Sequence, residues 1–315
     1  MTMSTRKIGS LEVTVVGLGC NNFGGRIDEA RTEEVVAATL DSGITFFDTA
    51  DIYGGTKSEE FLGRALDGRR DQVVLATKFG MRVDDERQGA KPDYVRRALE
   101  DSLRRLQTDH VDLYQLHAPD AKTPIADTLA ALDEAVRQGK VREIGCSNFS
   151  ADQLRQAHDA VKGGAARFVS VQNEYSILHR EPEREVLPAC VETGIAFIPY
   201  YPLARGLLTG KYERGKQPPA GTRLAGMPSD DYRRVASDTS LAAVEGLAAI
   251  ADRAGRSLVH LAIAWLAAQP AVASVIAGAT SPGQVAANAA AGDWVLSDDE
   301  LAEVDAIVPP GTSIV

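Results

Sequence analysis

The chain has 315 residues, 44% of them hydrophobic and 25% charged, with a formal net charge of -10. This is the composition of an ordinary globular protein, and its acidic surface repels nucleic acid, so a DNA or RNA partner is disfavoured. Three widely spaced cysteines build neither a disulfide framework nor a zinc knuckle; with no apolar signal core in "MTMSTRKIGSLEV" and no membrane-length window, the expectation is a cytoplasmic protein with no membrane partner.

In chain order, "RKIGSLEV" reads as a hairpin turning at Gly9-Ser10, placed to cap one end of the fold. Eight short apolar runs follow: "VTVVGLG", "ITFFDTA", "QVVLATK", "HVDLYQLH", "VREIGCS", "FVSVQNE", "IAFIPYY" and "ASVIAGA". Between most of them lie stretches of helical period, such as "EEVVAATLDSG", "DYVRRALEDSLRRLQ" and "IADTLAALDEAVRQGK", with Gly43, Gly139 and Gly194 closing helices. Strands apolar on both faces that alternate with helices form a parallel sheet covered by helices. Eight such units favour an α/β fold of the closed (β/α)8 TIM-barrel type, with the hairpin as a cap, in one domain over residues 1–315. The gap between the seventh and eighth runs is longer than the rest and holds "ARGLLTGKYERGKQPPAGTRLAGMPSDDYRR", which is read as a long loop over the barrel mouth.

In such a barrel the C-terminal strand ends form the catalytic face. The residues there are Asp48, Asp51 and Tyr53 after the second run, Lys78 at the end of the third and His117 at the end of the fourth. The fifth run ends on Ser147 and Asn148, the sixth carries Gln172, and the seventh ends on Tyr200 and Tyr201. Each has a plainer reading taken alone: Asp48 as a helix cap, Lys78 as a snorkelling strand end, His117 as a satisfied core histidine. Their coincidence at one end of adjacent strands favours a site. A tyrosine beside a lysine ammonium is a better acid, since a cation about 4 Å away favours phenolate by roughly 4 kcal/mol at an effective dielectric near 20. A carboxylate would hold that lysine, and a neutral imidazole would orient a carbonyl oxygen. The set is a proton donor facing an oxygen that gains negative charge, which suits hydride transfer from a nicotinamide. Metal-ligand spacing, a Walker loop and a nucleophile elbow are absent. "GLGCNNFGG" lacks the Rossmann spacing, whereas Thr280-Ser281-Pro282 opens a helix whose N-terminus suits a phosphate.

The segments "FFDTADIYGGTKSEEFLGRAL", "VLATKFG", "LYQLHAPD", "IGCSNF", "VQNEYS", "PYYPLARGLLTGKY" and "VIAGATSPGQVAAN" together resemble the aldo-keto reductases, in order and along essentially the whole chain. The likeness is greatest to the branch with potassium-channel β subunits and many bacterial oxidoreductases. It implies a (β/α)8 barrel that reduces aldehydes and ketones to alcohols with NADPH, NADH being possible as well. By that resemblance the catalytic set is Asp48, Tyr53, Lys78 and His117, with Tyr53 as proton donor. Ser147, Asn148 and Gln172 fall where the family contacts the carboxamide, and Tyr200 where an aromatic stacks under the nicotinamide. Leu203, Gly206 and Lys211 fall on the pyrophosphate belt, and Gly278, Thr280, Gln284 and Asn288 on the adenosine end. The sequence departs from the family in three places: Gln284 where a base often grips the 2′-phosphate, Ala287 where an acid is frequent, and Tyr201 where a small residue is common. Lys211 and Arg223 are then candidate phosphate partners. A short tail, "VPPGTSIV", implies an open substrate site, expected to be walled by Phe23, Ile52, Phe79, Phe149 and Tyr201. The alternatives left open are an NAD(P)-dependent sugar or alcohol dehydrogenase and a cofactor-binding regulatory subunit.

Overall fold

A computed structural model of the protein describes residues 3–161 and 163–315. Met1, Thr2 and Lys162, which the expected domain includes, lie outside the described residues. The hairpin forms as read, with β1 (Thr5–Ile8) antiparallel to β2 (Leu11–Thr14) and Ile8 opposite Leu11. Gly9 turns it at φ +57, where a Cβ would also meet the Glu143 carboxylate at 2.7 Å. That carboxylate accepts the Ser10 N–H at 2.7 Å and ties the turn to the barrel.

The barrel strands are β3 (Val16–Gly19), β4 (Phe46–Asp48), β5 (Val74–Phe79), β6 (Val111–Leu116), β7 (Val141–Ser147), β8 (Phe168–Glu174), β9 (Ala196–Tyr200) and β10 (Val275–Gly278). They form one parallel sheet in the order β10-β3-β4-β5-β6-β7-β8-β9. Closure between β9 and β10 comes from Phe197, whose N–H donates to Ala271 O at 2.7 Å and whose carbonyl accepts from Ala273 N at 2.9 Å. One boundary differs from the sequence reading. Val13 and Thr14, read into the first barrel strand, belong to the hairpin, because the chain leaves β2 at Thr14 and enters the barrel at Val16.

Gly43, Gly139 and Gly194 follow helices at φ +75, +74 and +70, the left-handed conformation that ends a helix most readily with glycine. Inside the barrel, Ile8, Leu11 and Val13 of the hairpin pack with Phe46, Ala76, Leu113, Ile198, Ala273 and Ile276 and plug its lower end. The opposite, C-terminal end is left for polar groups. The long stretch between β9 and β10 is only partly a loop. Residues 201–228 are irregular with short 3₁₀ turns, and helices Ser229–Val235, Asp238–Arg253 and Leu258–Ala267 follow. No helix among the described residues is long and apolar enough to cross a membrane.

Candidate active site

Period-two alternation along a strand decides which residues reach the barrel interior. Ala76 and Leu113 face the plug, so Lys78, Gln115 and His117 follow on the same inner side. Asp48 ends β4, and Lys78 sits beside Gln115 in the β5–β6 register. The chain then turns sharply to present Tyr53. Three backbone bonds hold this turn to its neighbours: Cys20 N to Asp48 O at 2.8 Å, Thr49 N to Ala76 O at 2.9 Å and Asp51 N to Lys78 O at 3.1 Å.

The two glycines after Tyr53 have a steric reason. Gly54 has φ +59, and a Cβ there would lie 2.3 Å from Phe23 O. The loop after β3 thus passes directly over the tyrosine turn. Gly54→Ala is expected to cost about 1–2 kcal/mol from backbone conformation alone, with more from the clash, and to displace Tyr53. A thermal melt and a turnover assay on the same sample check this; an unaltered melting point would mean the two loops do not approach so closely.

Lys78 is fully buried and lies at the centre of the site. Its Nζ donates to Asp48 Oδ2 at 2.6 Å, to Thr49 O at 2.8 Å and to Tyr53 OH at 3.2 Å. Burial alone would drive the lysine toward its neutral form. The Asp48 charge and Tyr53 outweigh that, and its pKa ends above the ordinary value. The remaining Asp48 oxygen accepts from Gln115 Nε2 at 3.0 Å and Gln172 Nε2 at 2.8 Å. Gln115 was not singled out from the sequence, although it stands two residues before His117 in "LYQLH" and so shares its face. His117 packs edge-on to the Tyr53 ring, with centroids 5.7 Å apart and planes at 80°. Burial, then the Lys78 charge, pushes the imidazole down to about 3, so it is neutral at pH 7.

The acidity of Tyr53 departs from the sequence reading. Burial raises its pKa above the usual value, and Lys78 pulls the other way without cancelling it, since Asp48 offsets the ammonium. The phenol therefore keeps its proton at neutral pH. Such a group gives it up when negative charge develops on a bonded oxygen.

A cleft of about 1090 Å³ opens above this cluster. Of the site residues read from the sequence, Asp48, Tyr53, His117, Ser147, Asn148, Gln172, Tyr200, Leu203, Gly206, Lys211, Gly278, Thr280, Gln284 and Asn288 line it; Lys78 lies beneath, and Asp51, read onto the same face, is buried outside it. Hydrogen bonds link several of these. Ser147 Oγ donates to Gln172 O at 2.7 Å, Asn148 Nδ2 to His117 O at 2.9 Å and Tyr200 OH to Asn148 Oδ1 at 2.8 Å. At the far end Ser281 caps helix Pro282–Ala290, and Gln284 Oε1 accepts from Thr280 N at 2.9 Å and Thr280 Oγ1 at 3.2 Å.

The aromatic wall expected around the substrate does not form. Phe23, Phe79 and Phe149 are buried away from the cleft, and Ile52 does not line it; of the five, only Tyr201 does. The reason is alternation. With Lys78 pointing inward, Phe79 points out and stacks on Tyr114 at 4.7 Å, while Phe149 packs edge-on to Phe168 at 5.7 Å. The rim is instead formed by Asn21, Arg26, Met81, Ala118, Glu174, Tyr201, Arg205 and Arg223. Tyr201 holds φ +54, and its ring is flanked by the guanidinium groups of Arg205 and Arg223 at 5.2 and 5.3 Å. Arg26 donates to Gly221 O at 2.9 Å and ties the loop after β3 to the long segment across the cleft. Arg26, Lys211 and Arg223 have no carboxylate partner among the described residues, in a chain of net charge -10. Three unpaired cations along one trough suit a polyanionic ligand.

These features agree with comparisons against known proteins. Residues 15–309 match the model of the Aldo/keto reductase family. The chain is 35% identical over 314 residues to aldo-keto reductase YhdN of Bacillus subtilis (strain 168), covering 95% of this chain and 91% of that one. It is also 35% identical over 300 residues to a probable voltage-gated potassium channel subunit beta of Oryza sativa subsp. japonica, covering 91% and 90%. Among solved structures, the holo form of aldo-keto reductase AKR11C1 from Bacillus halodurans superposes with a TM-score of 0.82 at 32% identity, over 99% of this chain and 98% of that one. A barrel whose strand ends bring Asp48, Tyr53, Lys78 and His117 together, matched by family and by fold across nearly its full length, belongs to the aldo/keto reductase family.

Proposed function

We propose that the protein reduces aldehydes and ketones to alcohols with NADPH, acting as one barrel domain over the whole chain. The observation that carries this reading is Lys78 held between Asp48 and Tyr53, beside a neutral His117. Bound NADPH would supply hydride to the carbonyl carbon. Tyr53 would donate its proton to the carbonyl oxygen, and His117 would orient that oxygen with a ring N–H. Gln115 and Gln172 would fix Asp48, and Asp48 would keep Lys78 charged.

The cleft fits the dinucleotide. Ser147, Asn148 and Gln172 would meet the carboxamide, Tyr200 the nicotinamide ring, and Leu203, Gly206 and Lys211 the pyrophosphate, with Arg26 and Arg223 adding charge. Gly278, Thr280, Gln284 and Asn288 would meet the adenosine. The Gln284 side chain is committed to its own helix start, so a 2′-phosphate would draw on the unpaired cations instead. Lys211→Gln is expected to weaken NADPH binding about tenfold, by loss of a charged hydrogen bond, and to flatten the salt dependence of the dissociation constant. Titration of cofactor fluorescence at two ionic strengths measures both.

The deciding assay follows NADPH oxidation with 4-nitrobenzaldehyde, beside NADH and beside Tyr53→Phe. Tyrosine-dependent turnover that favours NADPH supports the proposal. Turnover only in the alcohol-oxidising direction would make the protein a dehydrogenase. The likeness to the rice channel subunit gives the other outcome weight: tight NADPH binding with no carbonyl of a broad panel reduced would point to a regulatory subunit.

A further inference from the structure

Asp51 stands in the turn that carries both Asp48 and Tyr53, and the proposed chemistry leaves it without a task. Its side chain is buried, at 3% exposure, and its backbone N–H donates to Lys78 O at 3.1 Å. Oδ1 has no hydrogen-bond partner among the described residues. The groups facing it are Glu59 from helix Lys57–Ala65, Arg105 and Tyr94 from helix Pro92–Leu106, Lys78 from β5 and Tyr114 from β6.

Neither nearby cation forms an ion pair with it among the described residues. Arg105 Nε holds Glu59 Oε2 at 2.7 Å, while Glu59 Oε1 accepts from Thr77 Oγ1 at 2.5 Å. Lys78 is held by Asp48 at 2.6 Å. The hydroxyl of Tyr114 is likewise buried and unpartnered. An unpaired carboxylate in such a layer, beside a second carboxylate, is better protonated than charged. Burial first, and the Glu59 charge second, accordingly push Asp51 up to about 7.

We propose that Asp51 is a positioning residue that carries a proton in the working enzyme and, on releasing it to solvent, adds a negative charge within the field of Lys78, on the turn that carries the catalytic tyrosine. That charge would oppose the growth of negative charge on Tyr53 and so slow carbonyl reduction as pH rises. The proposal rests on the reading of Tyr53 as proton donor.

Two measurements test it. In the pH profile of kcat for reduction, the wild type is expected to fall through a limb near pH 7 that Asp51→Asn lacks. In infrared spectra, a protonated-carboxyl C=O band of the wild type should disappear between samples below and above pH 7, and should be missing throughout from Asp51→Asn. The same limb in the variant, or no band lost from the wild type, overturns the proposal. The band is read in Tyr53→Phe as well, so failure of the donor assignment, seen as full turnover by that variant, is distinguishable from failure here. Stability gives a readout that needs no activity. A carboxyl raised from 3.8 to about 7 stabilises the fold fully below pH 3.8, and that stability is lost as pH climbs through 7. Asp51→Asn should therefore lose less of its unfolding midpoint than the wild type across that window, and parallel losses would count against the buried proton.

Discussion

Tyr53→Phe is expected to reduce carbonyls about 10²–10⁴-fold more slowly than the wild type, the usual worth of a positioned general acid. The variant should still fold. Without the phenol oxygen, Lys78 keeps Asp48 Oδ2 at 2.6 Å and Thr49 O at 2.8 Å, so the buried ammonium is not stranded. Cofactor affinity should be unchanged, because the residues proposed to meet the cofactor stand on β7–β10, the segment after β9, helix Pro282–Ala290 and, for Arg26, the loop after β3, and none of them bonds the Tyr53 hydroxyl. Loss of kcat without loss of NADPH binding, measured by single-turnover absorbance and by fluorescence titration, is therefore the specific signature. A phenylalanine variant that turns over at the wild-type rate would remove Tyr53 as donor.

The buried phenol also predicts the form of the wild-type pH profile. Its pKa lies above the ordinary value of 10.0 because burial outweighs Lys78, so the donor stays protonated throughout the neutral range. The sequence points the other way, to an isolated lysine that makes an isolated tyrosine a better acid. What it lacked was the depth of the pair and the tight hold of Asp48 on the lysine, both of which depend on contacts between β4 and β5. An estimate from two residue types underrates desolvation whenever a third residue cancels the nearby charge.

Other features divide along the same line. The eight barrel strands were legible because each is a short apolar run followed by a helical period, and Asp48, Lys78 and His117 were legible because strand ends are easy to locate. The cap was legible from Gly9-Ser10. The phenylalanine wall was not, because sequence proximity to the strand ends does not say which face a side chain takes; Lys78 and Phe79 are neighbours in sequence and face opposite ways. Gln115 was missed although the period of two from His117 points to it. Asp51 was legible as a strand-end residue, but its burial beside Glu59 was not, since the layer that holds them is assembled from two helices and two strands distant in sequence.

Lys78→Met is the other large effect, and it differs in kind from the loss of Tyr53. The Lys78 and Asp48 side chains are 0% and 2% exposed, so the variant leaves a carboxylate buried without its cation. Removing one partner of such a pair typically costs about 3–5 kcal/mol. Gln115 and Gln172 still donate to Asp48 Oδ1, which places the expected cost toward the lower end. Catalysis should fall as well, because no ammonium would remain to stabilise negative charge on Tyr53 in the transition state. The contribution of the lysine has a definite pH window. Its folded pKa lies above the ordinary 10.5, so the stability it adds is fully present below pH 10.5 and is lost only as pH rises through the folded value. Denaturant midpoints of wild type and variant should therefore differ by the same amount across the neutral range and converge only in strong alkali. A difference that vanished at neutral pH would mean that Lys78 is already neutral in the folded protein, and the link from Asp48 through Lys78 to Tyr53 would fail with it.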